Sequence, residues 1–217
     1  MPIPFRLPRF YPILDTAALA TRQCPVLLAG KALIEAGAKI LQYRHKDAWT
    51  QNHFEEAAQL SKLCCDTGVL FVVNDRADFA RLLRTALHVG QDDLSPVAAR
   101  QVAGDEVMGF STHNAAQVAR GNEEPVEYLS LGPIFATNSK LRPDPVVGLE
   151  GLRRLRELTE KPLVAIGGIA LQNAGEVLAA KADSVAVISD LYPPKCDHKS
   201  LLARAQEWLR VVSGSAP

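Results

Sequence analysis

Val69-Leu70-Phe71-Val72-Val73-Asn74-Asp75 is a short β-rich run that stops at two polar residues. Before it lies an amphipathic pattern at 51–67, ended by Gly68, and after it a second helical pattern at 77–83. A glycine there can end a helix because it accepts the left-handed backbone that other residues avoid. Short β-rich runs separated by longer amphipathic segments indicate parallel strands joined by helical crossovers. The alternation continues in both directions. Strands are expected at 10–14, 39–43, 69–73, 86–89, 106–110, 127–131, 163–166 and 184–188. Their helices are expected at 26–36, 51–67, 77–83, 96–102, 114–120, 149–159, 171–180 and 199–211. Ser95-Pro96 supplies an N-cap and a first-turn proline, Gly37 can end a helix, and Lys161-Pro162 stops another. Eight strand–helix pairs in 217 residues predict a single α/β domain, a (β/α)8 TIM barrel over 1–217 with its motif-bearing core at about 30–190.

Lysine plus arginine equal aspartate plus glutamate, 24 of each. That balance gives no reason to expect nucleic acid as a partner, so any anion must be held by local charge. No run is long and apolar enough to span a bilayer, and Met1-Pro2-Ile3-Pro4-Phe5-Arg6 lacks the apolar core of a secretory signal. The expected setting is the cytoplasm, without a membrane. Cys24, Cys64, Cys65 and Cys196 show no metal-ligand spacing and are expected to be reduced thiols.

In a barrel of this kind the active site collects just after the strands. Gln42, Arg44 and Lys46 alternate along an extended segment and can share one face. An arginine fork beside a lysine point charge suits a diphosphate, although a strand end of this kind can also be merely solvated. Asn74-Asp75 and Asp93 follow neighbouring strands, so two carboxylates can meet at one spot, which suits magnesium. The bland alternative has Asp75 capping the next helix and Asp92-Asp93 solvating a turn. Ala165-Ile166-Gly167-Gly168-Ile169 brings bare backbone to the end of the seventh strand, where barrels often hold phosphate, and Ile188-Ser189 supplies the second half. A Gly-Gly pair is also an ordinary tight turn. Thr137, Ser139 and Lys140 open the long segment 137–147, expected to act as a substrate lid. His88 reads as a hydrogen-bonded interior residue and His113 as a residue near the mouth. No His/Cys cluster supports zinc, and no nucleophile elbow supports a hydrolase.

Taken in order, Gln42-x-Arg44-x-Lys46, Asn74-Asp75, His88-x-Gly90-Gln91-x-Asp93, Ser111-Thr112-His113, Gly132-Pro133-Ile134-Phe135-x-Thr137-x-Ser139-Lys140, Ala165-Ile166-Gly167-Gly168-Ile169 and Val187-Ile188-Ser189 resemble the thiamine phosphate synthase family. The resemblance runs from about Gly30 to Ser189 and lies in the ordered set. It implies a transferase that joins hydroxymethylpyrimidine diphosphate to a thiazole phosphate in thiamine biosynthesis, with Mg2+ as cofactor, small molecules as substrates and a homo-oligomer as an option. By motif position it implies that Gln42 reads the pyrimidine with Ser111 nearby, and that Arg44, Lys46, Asn74 and Lys140 hold the diphosphate. Asp75 and Asp93 are implied metal ligands. Thr137, Ser139, Gly168, Ile188 and Ser189 are implied to hold the thiazole phosphate, and Arg44, Lys46, Lys140 and Ser111 to be catalytic. The chain departs from the family at His45, where Glu is frequent, at Ser139, where Thr is usual, and in a shortened turn at 83–87 that bears on where Asp93 falls. Two rival readings are a thiazole tautomerase on the same barrel, which does not need the diphosphate and metal residues, and a non-catalytic barrel that binds a phosphate ligand.

Overall fold

The eight β-rich runs are apolar on both faces, so each strand must be covered twice, by the barrel interior and by a helix. In the computed structural model, which describes residues 5–137 and 144–214, the chain achieves this by closing on itself. The first half contains β1 (Phe10–Asp15), α1 (Thr16–Thr21), α2 (Val26–Ala36), β2 (Ile40–Arg44), α3 (Gln51–Thr67), β3 (Leu70–Asn74), α4 (Ala77–Leu83) and β4 (Ala86–Val89). The second contains α5 (Pro96–Ala103), β5 (Met108–Thr112), α6 (Ala115–Glu123), β6 (Tyr128–Leu131), α7 (Gly148–Arg156), β7 (Leu163–Ile166), α8 (Ala174–Ala179), β8 (Ser184–Val187) and α9 (His198–Ser213). Every strand pairs in parallel with its sequence neighbours, and β1 pairs with β8, giving a TIM barrel in strand order. Among the described residues no helix is long and apolar enough to cross a membrane.

Four departures from the sequence expectation have local causes. α1 has only six residues, too few to show a helical period, and starts because the Asp15 carboxylate accepts the Ala18 N–H at 2.9 Å. β5 begins two residues later than expected. Arg100 holds the Glu106 carbonyl and Glu127 accepts the Met108 N–H, so 106–107 form an entry loop and Ser111 and Thr112 belong to the strand. α7 ends at Arg156 because Leu158 and Thr159 donate to carbonyls three residues back, tightening the last turn. α8 starts late because Asn173 Oδ1 accepts the Ala170 N–H at 2.9 Å, closing 170–173 as a turn.

Alternation along the strands splits the core in two. Leu14, Leu41, Val73, Leu87, Phe110 and Leu129 face the helices, and Trp208 of α9 stacks on Phe10 with ring centroids 5.8 Å apart. Tyr11, Ile13, Ile40, Val72, Ala86, Tyr128, Val164 and Ala186 form a separate cluster inside the barrel. Room for the Tyr128 ring comes from Gly109, its register partner on β5. A Cβ on Gly109 would lie 2.1 Å from the ring. Gly109→Ala is therefore expected to destabilise the protein by about 1–3 kcal/mol through overpacking, measured by urea denaturation.

Candidate active site

Because all eight strands are parallel, their carboxyl ends share one rim, and the residues singled out in the sequence gather there. Arg44, at the end of β2, is in register with Asp15, at the end of β1, and the two side chains form a short ion pair that leaves both largely buried. Lys46, two residues further and more exposed, donates to the Asp75 carboxylate at 2.6 Å. Gln42, one turn of the pleat below Arg44, is 3 % exposed and donates its amide to the Tyr11 hydroxyl at 2.9 Å.

Asp75 follows β3. Its N–H donates to the His88 carbonyl on β4 at 2.8 Å, and its backbone then turns into the left-handed region at φ 66°. The carboxylate does not cap α4, whose N-cap position is Arg76 without a side-chain capping bond. It lies instead in hydrogen-bonding contact with Asp93. Burial, then the neighbouring Asp93, push the Asp75 carboxyl up to about 6 against the pull of Lys46. On Asp93 burial acts upward but is outweighed by bonds from Asp75 and from the Gly90 N–H, so this carboxyl stays below its ordinary value. The pair therefore holds a proton below about pH 6 and is ionised at both carboxyls above it. Asp93 Oδ2 accepts that Gly90 N–H at 2.7 Å and closes the turn after β4, so the turn reading holds for it alongside the contact with Asp75. The short turn before β4 does not displace it: Arg84 takes the left-handed position at φ 51°, and Asn74 and His88 remain in register.

Next to this pair, Asn74 buries an amide nitrogen with no hydrogen-bond partner among the described residues. A buried donor left open is costly unless a ligand oxygen meets it. Two carboxylates side by side, hard oxygen donors, fit a magnesium ion. Among the described residues no third His, Cys, Asp or Glu joins them, which leaves coordination positions to water and substrate oxygens.

The chain matches the model of the family described as thiamine monophosphate synthase over residues 10–191. It is 47 % identical over 211 residues to the thiamine-phosphate synthase of Koribacter versatilis, covering 95 % of this chain and 97 % of that one. It is 39 % identical to the thiamine-phosphate synthase of Chloroflexus aurantiacus over 83 % of each. The solved thiamine phosphate pyrophosphorylase of Pyrococcus furiosus superimposes with a TM-score of 0.83 at 28 % identity, over 96 % of this chain and 97 % of that one. The chain belongs to the thiamine monophosphate synthase family. It is a transferase of thiamine biosynthesis.

Within the thiamine monophosphate synthase barrel, the second half of the rim is built from the loops after β6, β7 and β8. The segment leaving β6 packs onto the end of β7: Ile134 N–H donates to Ile166 O and Phe135 N–H to Gly167 O, both at 2.9 Å. Gly167 and Gly168, at φ 98° and 64°, permit this crossing. A Cβ on Gly167 would meet the Pro133 backbone at 2.6 Å, and one on Gly168 the Ala136 carbonyl at 2.6 Å. The returning stem is fixed by Val147 N–H on Pro133 O at 2.8 Å. His113 hydrogen-bonds the Gly132 carbonyl and lies 3.5 Å from the Asp144 carboxylate, touching both stems. Ser139 and Lys140 lie outside the described residues. Ile188 and Ser189 follow β8, and Ser189 opens a short 3-10 turn to Leu191. Ser111 contacts His88 Nε2 at 2.9 Å. His45 turns away from the rim: its ring stacks on His53 at 3.8 Å and bonds Thr16 at 2.8 Å.

Sequence reasoning missed Asp15, Tyr11, Tyr128 and Ser130. Asp15 could have been found as a carboxylate placed just after a strand, like Asp75. It does two jobs, pairing Arg44 and capping α1. Asp15→Ala is expected to destabilise the protein by about 3 kcal/mol by leaving a nearly buried cation unpaired. Asp15→Asn, which keeps the cap oxygen, is expected to cost about 1 kcal/mol less, both read from urea denaturation at neutral pH.

Proposed function

We propose that the protein joins hydroxymethylpyrimidine diphosphate to a thiazole phosphate with Mg2+ held by Asp75 and Asp93, giving thiamine phosphate and free diphosphate. The observation that carries this reading is the Asp75–Asp93 contact flanked by Lys46 and by the open amide of Asn74. In the reaction the thiazole ring nitrogen bonds the pyrimidine methylene carbon as the carbon–oxygen bond to diphosphate breaks. The electron-rich aminopyrimidine stabilises the positive charge at that carbon. When bound, magnesium supplies divalent charge and coordination positions for the departing phosphate oxygens. Arg44 and Lys46 add fixed positive charge beside the leaving group, and Asn74 offers it a hydrogen-bond donor. Lys140 joins them by motif position. No group has to remove a proton from carbon, so rate enhancement comes from charge placed in advance and from holding two substrates together.

Gly168, Ile188 and Ser189, after β7 and β8 and so across the rim from the carboxylates, take the thiazole phosphate in this reading, with Thr137 and Ser139 joining them by motif position. Retention of Asp75, Asp93, Arg44 and Lys46 argues against the tautomerase alternative, whose chemistry uses none of them.

Asp93→Ala is expected to lower magnesium-dependent diphosphate release about a hundred- to a thousand-fold, measured in a coupled assay with both substrates. Full activity in that variant would remove the metal assignment. Isomerisation of a thiazole carboxylate phosphate by the wild type, without diphosphate release, would favour the tautomerase. Below about pH 6, binding of a divalent cation must expel the proton held by Asp75 and Asp93. Magnesium affinity is therefore expected to be constant above pH 7 and to fall as pH drops through about 6. Calorimetric titration in buffers of different ionisation enthalpy would count the released proton.

A further inference from the structure

The proposed chemistry uses Gln42 and Ser111 at the rim and leaves a line of polar groups beneath them without a role. Tyr11, Tyr128, His88 and Ser130 lie inside an otherwise apolar barrel, none more than 7 % exposed. Such groups are costly to bury without partners, and here each has one. Gln42 Nε2 donates to Tyr11 Oη at 2.9 Å, and Tyr11 Oη lies 2.7 Å from Tyr128 Oη. Tyr128 Oη lies 3.1 Å from His88 Nδ1, and His88 Nε2 lies 2.9 Å from Ser111 Oγ. Ser111 Oγ in turn is 3.3 Å from Ser130 Oγ.

The first bond orders all the others. Each phenol has one proton. Tyr11 accepts from Gln42, so its proton goes to Tyr128, and Tyr128 gives its own to His88 Nδ1. A neutral His88 then carries its proton on Nε2 and donates it to Ser111. The full reverse order, with the Gln42 amide turned to accept from Tyr11, also gives each hydroxyl proton an acceptor, whereas any mixture of the two directions leaves one without. At the two ends, the Gln42 amide oxygen makes no hydrogen bond among the described residues, and the Ser111 proton remains available to a ligand or to Ser130. Reversing the chain would swap both ends at once, turning Gln42 into a donor and Ser111 into an acceptor.

We infer that Tyr11, Tyr128 and His88 are positioning residues, a proton-ordered relay that fixes Gln42 as acceptor and Ser111 as donor toward the substrate ring. The inference rests on the reading that the pyrimidine docks between these two side chains. A ring with an exocyclic amine beside an unprotonated ring nitrogen matches that pattern. A ring with a carbonyl beside a ring N–H opposes it at both points. The relay therefore selects aminopyrimidine over oxopyrimidine diphosphates, and it couples the two contacts.

The test compares wild type with Tyr128→Phe, which keeps the ring and removes the middle hydroxyl. Kinetics are measured with the amino and the oxo pyrimidine diphosphates, and the His88 tautomer by 15N NMR of histidine-labelled protein, its signal assigned with His88→Gln. In the wild type His88 is expected as the Nε2–H tautomer, and the amino substrate to be preferred. In Tyr128→Phe that preference is expected to fall about 10- to 100-fold. KM for the pyrimidine substrate should rise while KM for the thiazole phosphate stays unchanged, a split that general loosening of the barrel would not produce. The Nδ1–H tautomer should also become populated. If Tyr128→Phe does not fold, Tyr11→Phe, which removes the acceptor of Gln42, is expected to give the same loss of preference. An Nδ1–H tautomer in the wild type, or unchanged discrimination in a folded variant, would overturn the relay. If the wild type made no product from either ring, the proposed reaction would fail, and the His88 tautomer and its change in Tyr128→Phe would still decide the relay.

Discussion

The site exists because β1 and β8 hydrogen-bond to each other and close the sheet. Closure of parallel strands in sequence order sends every carboxyl end to one rim, so residues distant in sequence become neighbours without a dedicated contact for each pair. Register then selects which side chains are there. β2 shows how tight that selection is: Gln42 and Arg44 belong to the interior and rim, while Tyr43 between them donates to Glu56 on α3 at 2.8 Å, on the helix side. A slip of β2 by one residue would exchange the two sets. It would put Tyr43 and His45 where Gln42 and Arg44 stand and leave Asp15 without its cation. The outer packing of Tyr43 and the His45–Trp49–His53 ring cluster therefore help to hold the site from behind.

The barrel itself was legible because buried parallel strands leave near-continuous apolar runs, and because glycines at 37 and 68 mark helix ends in the left-handed conformation. Strand limits were less legible where polar side chains outside the strand decide them. Glu106 and Val107 look β-prone, and only the bonds from Arg100 and Glu127 turn them into an approach to β5. At the site, the charged residues after β2, β3 and β4 stood out because charge is rare beside such runs. Asp15 did not, since a carboxylate before Thr-Ala-Ala reads as a helix cap, which it also is. Tyr11 and Tyr128 look like ordinary core aromatics in one dimension. Their meeting depends on a gap opposite Tyr128, and nothing local to that residue announces that Gly109 provides it.

The Gly167-Gly168 pair had two readings in the sequence, a phosphate cradle and a tight turn. Packing alone accounts for both glycines, because the chain leaving β6 crosses so close that any Cβ would strike backbone. That close crossing also ties the stem leaving β6 to the end of β7, and Val147 on the returning stem bonds the same stem at Pro133. The phosphate role assigned to Gly168 is thus added to a backbone already shaped by another demand. The same economy recurs at Asp93, which closes a turn and faces Asp75, and at Asp15.

Inside the barrel the two demands part company. Phe in place of Tyr at 11 and 128 would keep the edge-on ring contact, whose centroids lie 6.0 Å apart, and would fill nearly the same volume. The hydroxyls therefore add nothing that packing needs, and in an apolar interior each is tolerated only while every neighbour in the line supplies a partner. Apolar residues of similar shape are often as stabilising as a buried polar group, or more so. The apolar residues that share the interior, Ile13, Ile40, Val72, Ala86 and Val164, follow that rule. The polar line runs only where it touches Gln42 and Ser111 at its ends. Its course, from the deep Tyr11–Tyr128 contact up to Gln42 and Ser111 and through no apolar neighbour, ties its cost to those two side chains and not to the stability of the fold.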